Sequence, residues 1–524
     1  MVTSLLPNGK QQFIDINGNP LVGGTVGMYI PNTLIFKNTW QDAAQMTLNT
    51  NPIILDSRGQ ALIYGTGTYR QIVKDAQGNL IWDEPTSGLG GGAGVISYVA
   101  SIADLRALGT AGQANSPIYV EGYYSPNDGG GGLFIWVSGN STADNGGTII
   151  NPTAHVGVGR WVRSYVAPVD ALWFGAKGDG TTDNTTILST WLAWCNSVFQ
   201  SAKISQDPTV TSGNSNYKIT GPLSAIILSF YMEPGTQLTP TGTGYTALTL
   251  QPQGYIESPW RIFIQGPGGA QTAASPLNGF YFRNPSGFVV EQIRCSDLNG
   301  FGMYLDQAQD AVFQLISIEN CGNTNDYALT IGSSTADATN MTNFLHIQVE
   351  LSTAKAIIIN GDTLCCIFGS IHSERAHGDV LYKTWQLSGD NCTFINSRLN
   401  GDANCSAVVG GNGTRFTELR TEVMIPVEFI TPSQTPFILD NPAITGACTW
   451  TGGNFGPCII FGGYIASLKA NNFVTGIRAY GTTFTQIYTA TVTPGTGVTL
   501  QTRLYGCTVT GYVTNASYAT LNDN

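Results

Sequence analysis

The sequence is poor in charge. Asp, Glu, Lys and Arg together form 11 % of its 524 residues, and the formal net charge is −11. Nothing supplies the basic patch that phosphates require, so the composition argues against a nucleic acid or an anionic membrane surface as partner. The negative net charge also does not favour a strongly acidic polymer as ligand, although local arginines weaken that inference.

The sequence also lacks metal-binding cysteine motifs, long apolar segments and a secretory signal. Its ten cysteines include no CxxC pair and no metal-ligand spacing with His, which predicts buried, reduced thiols and neither a metal nor another cofactor. No run approaches the roughly 18 apolar residues of a membrane span. Residues 1–10 lack a charged segment followed by an apolar one. We therefore expect synthesis in a cytoplasm and no membrane insertion.

Glycine, in contrast, is abundant, with 64 residues, which is typical of a β-rich structure with many turns. Between residues 288 and 423 a phenylalanine recurs in steps of 25, 31, 24, 26 and 22 residues, each followed six residues later by a polar or charged residue. Such a period is typical of a solenoid whose units stack around one core. The pairs are Phe288/Arg294, Phe313/Glu319, Phe344/Glu350, Phe368/Glu374, Phe394/Asn400 and Phe416/Glu422.

Apolar and polar residues alternate within each repeat. Counted from the phenylalanine, positions +3 and +5 are mostly apolar, as in Ile347 and Val349, whereas +2, +4 and +6 are mostly polar, as in His346, Gln348 and Glu350. A period of two predicts a strand with one face inward. A second, more continuous apolar run follows in each repeat, so two or three short strands per turn predict a parallel β-helix. These runs are residues 327–331, 356–359, 380–382 and 407–409.

The pattern of short strands and turns in residues 1–88 predicts a compact β module. It begins with a strand, an Asn-Gly turn and a second strand over residues 13–24. The order DINGNPLVGG (15–24), NPIILDSRGQA (51–61) and GTYRQIVKDAQGNLIWD (67–83) resembles the virion-binding N-terminal domain of bacteriophage tailspikes. The resemblance implies a homotrimer that attaches to phage tail or portal-vertex proteins through residues 1–88.

Residues 89–97 are a Gly-rich linker, and residues 98–168 predict a small β connector domain. A short helix begins the connector, with Ser101 and Asp104 at N-cap and N3 spacing. The segments EGYYSPNDGGGGLFIW (121–136) and GRWVR (159–163) resemble the opening segment of phage tailspikes and related polysaccharide depolymerases. The glycines 129–132 are followed by neither Lys-Ser/Thr nor a helix, so they predict a turn rather than a phosphate loop.

Residues 169–435 are assigned to the β-helix, because WFGAKGDGTTDNTTIL (173–188) resembles the opening of pectate-lyase-like right-handed β-helices. Asp183 is the predicted N-cap of a helix that covers the open end of the solenoid. In the family such aspartates belong to the cap, so neither Asp179 nor Asp183 is expected to be catalytic. The apolar stripe of this helix is Ile187, Leu188, Trp191, Leu192, Cys195 and Phe199.

The predicted fold is thus all-β: a right-handed parallel β-helix with an N-terminal β domain that binds the virion and a small capping helix. Residues 436–524 are a C-terminal β region, which serves either trimerisation or further coils.

The outward face of the stacked strands is where chemistry is expected. Coils about 4.8 Å apart place residues of equal position in ladders, and like charges stacked in a ladder are destabilising. Either diagonal arginines compensate, or one carboxylate stays protonated. The +6 ladder contains Glu319, Glu350, Glu374, Asn400 and Glu422, and the +4 ladder contains Ser317, Gln348, His372, Arg398 and Arg420.

Glu350 and Glu374 are the candidate catalytic pair. Two carboxyl groups about 5 Å apart match a retaining glycosidase, and a separation of about 6.5–9.5 Å matches an inverting one. Stacking also raises the pKa of one member, as a general acid requires. The candidate substrate-binding residues are His372, Arg375, Arg398, Arg420, Glu319 and Glu422, with Asp379 and Asp402 as fallback carboxylates.

Three interpretations of this face stay open: a solvated, self-neutralising surface, a glycan-binding groove, or a catalytic pair. Pectate-lyase chemistry is least favoured, because the ladder has no Asp cluster for Ca²⁺.

The residues and the resemblance together predict a bacteriophage tailspike. It would be located in the virion, be synthesised in the host cytoplasm, and recognise host lipopolysaccharide, capsule or exopolysaccharide, which paired carboxylates hydrolyse. The alternative is a receptor-binding tail fibre that adheres without cleaving. A non-viral carbohydrate-active enzyme is disfavoured by the resemblance of residues 1–88 to a virion-attachment domain.

Overall fold

The computed structural model describes residues 4–31, 33–87, 97–108, 117–254, 260–268, 274–332, 339–422, 424–430, 436–451, 458–471, 477–489, 502–513 and 519–521. The chain forms two compact units, Met1–Tyr98 with Thr110–Ile118 and Val99–Gly109 with Tyr119–Asn524. The Gly-rich linker predicted at residues 89–97 lies outside the described residues apart from Ser97.

The first unit is a small antiparallel β module with its own core, in which Phe13, Val26, Met28, Ile63 and Tyr69 are buried. Strand β1 pairs with β4, and a second sheet has the order β3-β2-β5-β6. The strands are β1 (Ser4–Gln12), β2 (Thr25–Tyr29), β3 (Ile53–Ile54), β4 (Gln60–Gly65), β5 (Thr68–Lys74) and β6 (Leu80–Ser87).

A five-stranded sheet of order β10-β11-β9-β8-β7 and a short helix, α1 (Ile102–Ala107), precede the β-helix. The predicted helix start is confirmed, since Asp104 N–H donates to Ser101 Oγ at 3.2 Å. The glycine run leads from a bend at Gly129 into β9 at Gly132, and the buried Arg163 donates from Nη2 to the carbonyl of Gly130 at 2.8 Å. The strands are β7 (Ser97–Val99), β8 (Ile118–Val120), β9 (Gly132–Val137), β10 (Ile149–Ile150) and β11 (Arg160–Ser164).

The remaining strands form one continuous parallel stack, which confirms the predicted all-β, right-handed parallel β-helix. They are β12 (Val169–Asp170), β13 (Ala202–Ile204), β14 (Ser215–Ile219), β15 (Leu223–Ile227), β16 (Phe230–Met232), β17 (Thr236–Pro240), β18 (Tyr245–Pro252), β19 (Trp260–Gln265), β20 (Leu277–Arg283), β21 (Val289–Leu298), β22 (Met303–Asp306), β23 (Val312–Cys321), β24 (Leu329–Ile331), β25 (Asn343–Glu350), β26 (Thr353–Ala354), β27 (Ile357–Ile359), β28 (Ile367–Phe368), β29 (Ile371–Gly378), β30 (Trp385–Leu387), β31 (Thr393–Ile395), β32 (Ser397–Gly401), β33 (Ala407–Gly410), β34 (Arg415–Thr417), β35 (Arg420–Thr421), β36 (Val427–Ile430), β37 (Phe437–Asp440), β38 (Ala443–Thr451), β39 (Cys458–Phe461), β40 (Tyr464–Asn471), β41 (Ile477–Tyr480), β42 (Thr483–Thr489), β43 (Thr502–Tyr505), β44 (Thr508–Val513) and β45 (Ala519–Leu521).

Each turn of the β-helix contributes to three parallel sheets, which we call A, B and C. A central turn shows the pattern: β31 belongs to sheet A, β32 to sheet B and β33 to sheet C, and each pairs with its counterpart β34, β35 or β36 in the next turn. In β19, β21, β23 and β25 one strand runs through both A and B. Strands from β37 onward continue the same stack as far as β45.

The repeated phenylalanines form a column inside the β-helix. The ring centroids of successive members lie 5.0, 4.8, 4.5 and 4.3 Å apart, and the rings are within 15° of parallel. All five rings are buried. The column therefore confirms the sequence period as the rise of one turn. Its members are Phe313, Phe344, Phe368, Phe394 and Phe416.

Two details of the predicted repeat are wrong. Val290, not Phe288, pairs with Phe313, so Arg294 is in register with Ser317 rather than with Glu319. The apolar run at residues 380–382 is not a strand: Val380 is 80 % exposed, and the third strand of that turn is β30. Val380 follows Asp379, whose carboxylate accepts the N–H of Leu381 at 2.8 Å and closes a turn there.

A short 3-10 helix, Ala171–Phe174, and helix α2, Thr185–Ser197, lie at the start of the β-helix. Leu188, Trp191, Leu192 and Cys195 of α2 are buried, as the stripe predicted. Phe199 is not part of the stripe, because it lies beyond the helix end and is 63 % exposed.

The N-cap of α2 is Asn184 rather than Asp183. The Asp183 carboxylate instead accepts the N–H of Thr185 at 3.0 Å and the hydroxyl of Thr220 at 2.6 Å. Asp183 therefore has a structural role in the cap, as expected.

Candidate functional site

The outward-facing residues of sheet B form two columns, which we call the polar face. Phe263 pairs with Arg294 and Gln265 with Ser296 at the N-terminal end, and the pairing continues through each following turn. The first column contains Phe263, Arg294, Ser317, Gln348, His372, Arg398 and Arg420. The second contains Gln265, Ser296, Glu319, Glu350 and Glu374, followed by Asn400 and Glu422, which lie one residue after the paired Leu399 and Thr421.

Register places the two candidate catalytic residues side by side, because Glu350 pairs with Glu374 and Gln348 pairs with His372. Strands in one sheet lie about 4.8 Å apart. The ladders predicted from the sequence are thus present between Glu319 and Glu374, and they arise because outward positions alternate with buried ones such as Ile347 and Val349.

Glu350 is the least exposed of the four glutamates in this column. Gln348 Nε2 donates to Glu350 Oε1, and Arg375 Nη2 donates to Glu350 Oε2 at 2.8 Å. These contacts, first that of Gln348 and then that of Arg375, lower the pKa of Glu350 below its ordinary value. Glu350 is therefore not a member of the pair whose pKa is raised, since its hydrogen-bonding and cationic partners outweigh the effect of burial.

Arg375 reaches Glu350 because the backbone turns at this residue. Its φ is +51°, and the register of β29 and β32 shifts between Ser373 and Ala376. Leu351, the corresponding residue of the preceding turn, is also left-handed, with φ +54°. The side chain of Arg375 is 60 % exposed and leans back over the preceding turn.

Glu374 lies between a histidine and an arginine. His372 Nε2 is 3.0 Å from Glu374 Oε1, but the atom is buried and has no hydrogen-bond partner of acceptable geometry among the described residues. Arg398 Nη2 lies 4.0 Å from the same oxygen. On the neighbouring turn, burial and then the charge of His372 lower the pKa of His346.

Arginines that lie diagonally to the glutamates compensate the negative charge of the ladder. This was one of the two alternatives expected from the sequence. Arg398 Nη2 also contacts Glu422, whose Oε2 accepts from Asn400 Nδ2 at 2.9 Å. At the other end, Arg294 Nη2 lies 3.5 Å from Glu319 Oε2.

Arg420 pairs with a carboxylate outside the ladder, since its Nη2 lies 3.7 Å from Glu418 Oε2.

The two fallback carboxylates, Asp379 and Asp402, accept backbone hydrogen bonds within turns. Burial raises the pKa of Asp402, but hydrogen bonds from the N–H groups of Gly378 and Asn404 bring it below its ordinary value.

Sequence inspection missed the N-terminal part of the polar face. The phenylalanine column begins at Phe313, and Val290 and Trp260 occupy its position in the two preceding turns. Arg261, Phe263 and Gln265 therefore cannot be aligned by a phenylalanine. Their alternation with the buried Ile262 and Ile264 was the available clue.

No helix in the described ranges is long and apolar enough to cross a membrane. Within those same ranges, no three His, Cys, Asp or Glu side chains come together as a set of metal ligands.

Residues 98–166 match the family model of the phage tail protein small four-stranded beta-sheet domain, and a parallel β-helix follows directly. The chain thus combines a segment that matches a phage tail domain with a parallel β-helix. No curated protein matches its sequence.

Several solved structures are similar to this chain. WceF of Pantoea stewartii, described as a glycan biofilm modifying enzyme with a tailspike-like parallel β-helix fold, is 13 % identical, with a TM-score of 0.31 over 94 % of this chain and 61 % of that one. The enzymatically active domain of tailspike protein 2 of bacteriophage CBA120 is 14 % identical, with a TM-score of 0.37 over 80 % and 53 %.

The tailspike gp49 of Acinetobacter baumannii bacteriophage Fri1, described as a capsular polysaccharide depolymerase, is 11 % identical, with a TM-score of 0.35 over 81 % and 76 %. This chain thus spans about three fifths and about half of the first two chains. At these identities and TM-scores the likenesses say nothing about its activity.

Proposed function

We propose that this chain is a bacteriophage tailspike, which binds host surface polysaccharide along the polar face and hydrolyses it with Glu350 and Glu374. The observation that carries the proposal is the in-register pairing of these two glutamates, with His372, Arg375 and Arg398 around them. From Phe263 to Arg420 the face spans six strand spacings, about 29 Å at 4.8 Å each. Amide, guanidinium and carboxylate groups along it suit an extended chain of hydroxyl groups.

The environments of the two glutamates favour different roles. Glu350 is kept ionised by Gln348 and Arg375, so we assign it the nucleophile. Glu374 then acts as the acid that protonates the glycosidic oxygen as the bond to the sugar carbon breaks. The Glu350 carboxylate bonds to that carbon in the same step. In the second step Glu374 takes a proton from a water molecule whose oxygen attacks the sugar carbon, and the bond between this carbon and Glu350 breaks. The spacing of adjacent strands favours this retaining course over an inverting one, which needs carboxyl groups about 6.5–9.5 Å apart.

The test measures reducing ends released from the surface polysaccharide of the phage's host, for wild type, Glu350→Gln and Glu374→Gln, with polysaccharide binding measured in parallel. We expect each variant to lose at least about 10³-fold in rate, because each carries one of the two required steps, and to keep its binding. Glu84→Gln makes the same chemical change at an exposed residue of the first unit and should leave the rate unchanged.

The alternative, a receptor-binding fibre without cleavage, is favoured by the pairing of Glu319, Glu350 and Glu422 with arginines. It would be supported by intact binding without reducing-end release from the wild type. Cleavage that survives both substitutions would exclude this pair and direct attention to a site elsewhere.

We propose further that residues 1–88 attach this chain to phage tail or portal-vertex proteins in the virion, and that it works as a homotrimer. Ile16, Leu34 and Met46 of the first unit are 97, 72 and 83 % exposed, which is apolar surface suited to a protein partner. Deletion of residues 1–88 should abolish incorporation into virions while polysaccharide binding remains. Sedimentation equilibrium should give three times the chain mass of 55.7 kDa, and a monomer mass would contradict the trimer.

A further inference from the structure

A cavity of about 360 Å³ lies at the N-terminal end of the polar face. Arg261 and Gln292, Phe263 and Arg294, and Gln265 and Ser296 line it, and each of these is a register pair of β19 and β21. The cavity is therefore a continuation of the outward columns and lies two turns before Gln348 and Glu350. The sequence pattern did not predict that Arg261 and Arg294 lie in the same cavity.

The cavity is positively charged. Its described lining contains two arginines and no aspartate, glutamate or histidine. The other polar groups there are neutral amides and hydroxyls, including those of Gln237, Gln292 and Ser296. This composition differs from the central part of the polar face, where glutamates alternate with arginines.

Arg261 has donor capacity that its surroundings leave unused. Its Nη2 donates to Gln292 Oε1 at 3.3 Å, and its guanidinium carbon lies 4.8 Å from the centroid of the Phe263 ring. Its Nε is buried and finds no acceptor in the part of the chain that the structure describes. A buried donor without an acceptor is destabilising, which is a reason to look for a ligand that supplies one.

Arg294 is only loosely held. Its one ion pair among the described residues joins it to Glu319 at 3.5 Å, and the side chains of the two are 53 % and 42 % exposed. Exposed pairs of this kind are worth little, so the guanidinium is available to a ligand in the cavity.

We propose that this cavity binds the carboxylate of an acidic sugar, so that the polysaccharide held on the polar face is anionic at this position. The proposal rests on the proposed function, since the cavity is a subsite of the same face. A guanidinium presents paired donors that fit a carboxylate, and the amides of Gln237 and Gln292 suit the ring hydroxyls. The net charge of the chain does not oppose this, because charges farther than about 8 Å are largely screened at physiological salt.

The test is a ligand-observed NMR titration of the full chain with sodium glucuronate, glucose and glucose 6-phosphate. Wild type should bind glucuronate more tightly than either other sugar. Arg261→Gln and Arg294→Gln should each raise the Kd of glucuronate about tenfold, the loss expected for one charge-assisted contact. Arg283→Gln removes an exposed arginine at the end of β20, outside the cavity, and should leave the Kd unchanged.

Each contrary result overturns the assignment in a different way. Glucose bound as tightly as glucuronate removes the anionic preference but keeps a sugar-binding face, so the proposed function survives. Tighter binding of glucose 6-phosphate replaces the carboxylate by a phosphate. Glucuronate binding that is absent in wild type, or unchanged in both cavity variants, removes the site itself. Glu374→Gln should not alter the Kd, and a loss there would move the anion to the central cluster.

Discussion

Arg375 illustrates how one residue sets the chemistry of its neighbour. Its left-handed backbone, with φ +51°, directs the guanidinium to Glu350 at 2.8 Å instead of leaving it beside Glu374. Two adjacent glutamates in identical strand positions thereby acquire different surroundings. One is bound by two donors, and the other faces a histidine that lies close without a hydrogen bond.

The contribution of Glu350 to stability should depend on pH. Because its pKa is lower in the folded chain than the ordinary 4.5, the stabilisation is fully present above that value and is lost as the pH falls through the folded pKa. We expect the free energy of unfolding of wild type to exceed that of Glu350→Gln by roughly 0.5–1 kcal/mol at pH 7, with the difference shrinking as the pH falls below 4.5. Denaturant unfolding across this range measures it.

Arg375→Gln should show the same pH-dependent loss, because it removes the other member of the pair. A difference between wild type and Glu350→Gln that stays constant from pH 7 to pH 3 would contradict this account.

At the scale of the strands, the phenylalanine column joins five successive turns. Each ring packs on the ring above and below at 4.3–5.0 Å, which fixes the register of sheet A. Because one strand or a tight bend connects A to B, the column also fixes which outward residues of sheet B stand next to each other. Glu350 and Glu374 are neighbours because Phe344 and Phe368 are.

Phe368→Ala should destabilise the β-helix by about 3–5 kcal/mol, since it opens a cavity in the middle of the column. Phe368→Leu keeps most of the buried volume, and its smaller loss of about 1–2 kcal/mol should report the ring stacking. Guanidinium unfolding followed by circular dichroism measures both. Phe199→Ala is the control, because that ring is 63 % exposed; a loss there equal to that of Phe368→Ala would contradict the role of the column.

At the scale of the whole molecule, the two units have separate cores, one around Val26 and the other running along the β-helix past Ile347. We expect two transitions in differential scanning calorimetry. Val26→Ala should lower the transition temperature of the first unit only, and Ile347→Ala that of the second unit only. Each substitution should reduce the free energy of unfolding of its unit by about 2 kcal/mol or more. A single transition that both variants shift equally would show that the units unfold together.

The fold could be predicted from the sequence wherever the phenylalanine period was regular. The candidate site could be predicted wherever the register of the strands followed from that period. Glu319, Glu350 and Glu374 could be aligned because a phenylalanine marks each turn. The alignment failed at Phe288, since Val290 fills the column there, and at residues 380–382, since apolar side chains also occur in turns. The lowered pKa of Glu350 could not be predicted from the sequence, because it depends on side-chain contacts with Gln348 and Arg375, and the second contact requires the left-handed backbone of Arg375.

The alternation along sheet B separates the residues that hold the fold from those that it displays. In β25 the buried Ile347 and Val349 alternate with His346, Gln348 and Glu350 on the outside. An outward substitution changes the displayed surface while the interior stays packed as before. The β-helix therefore tolerates change at every second residue of one strand per turn, and a lineage with this geometry can switch the ligand it recognises by single substitutions without first acquiring spare stability.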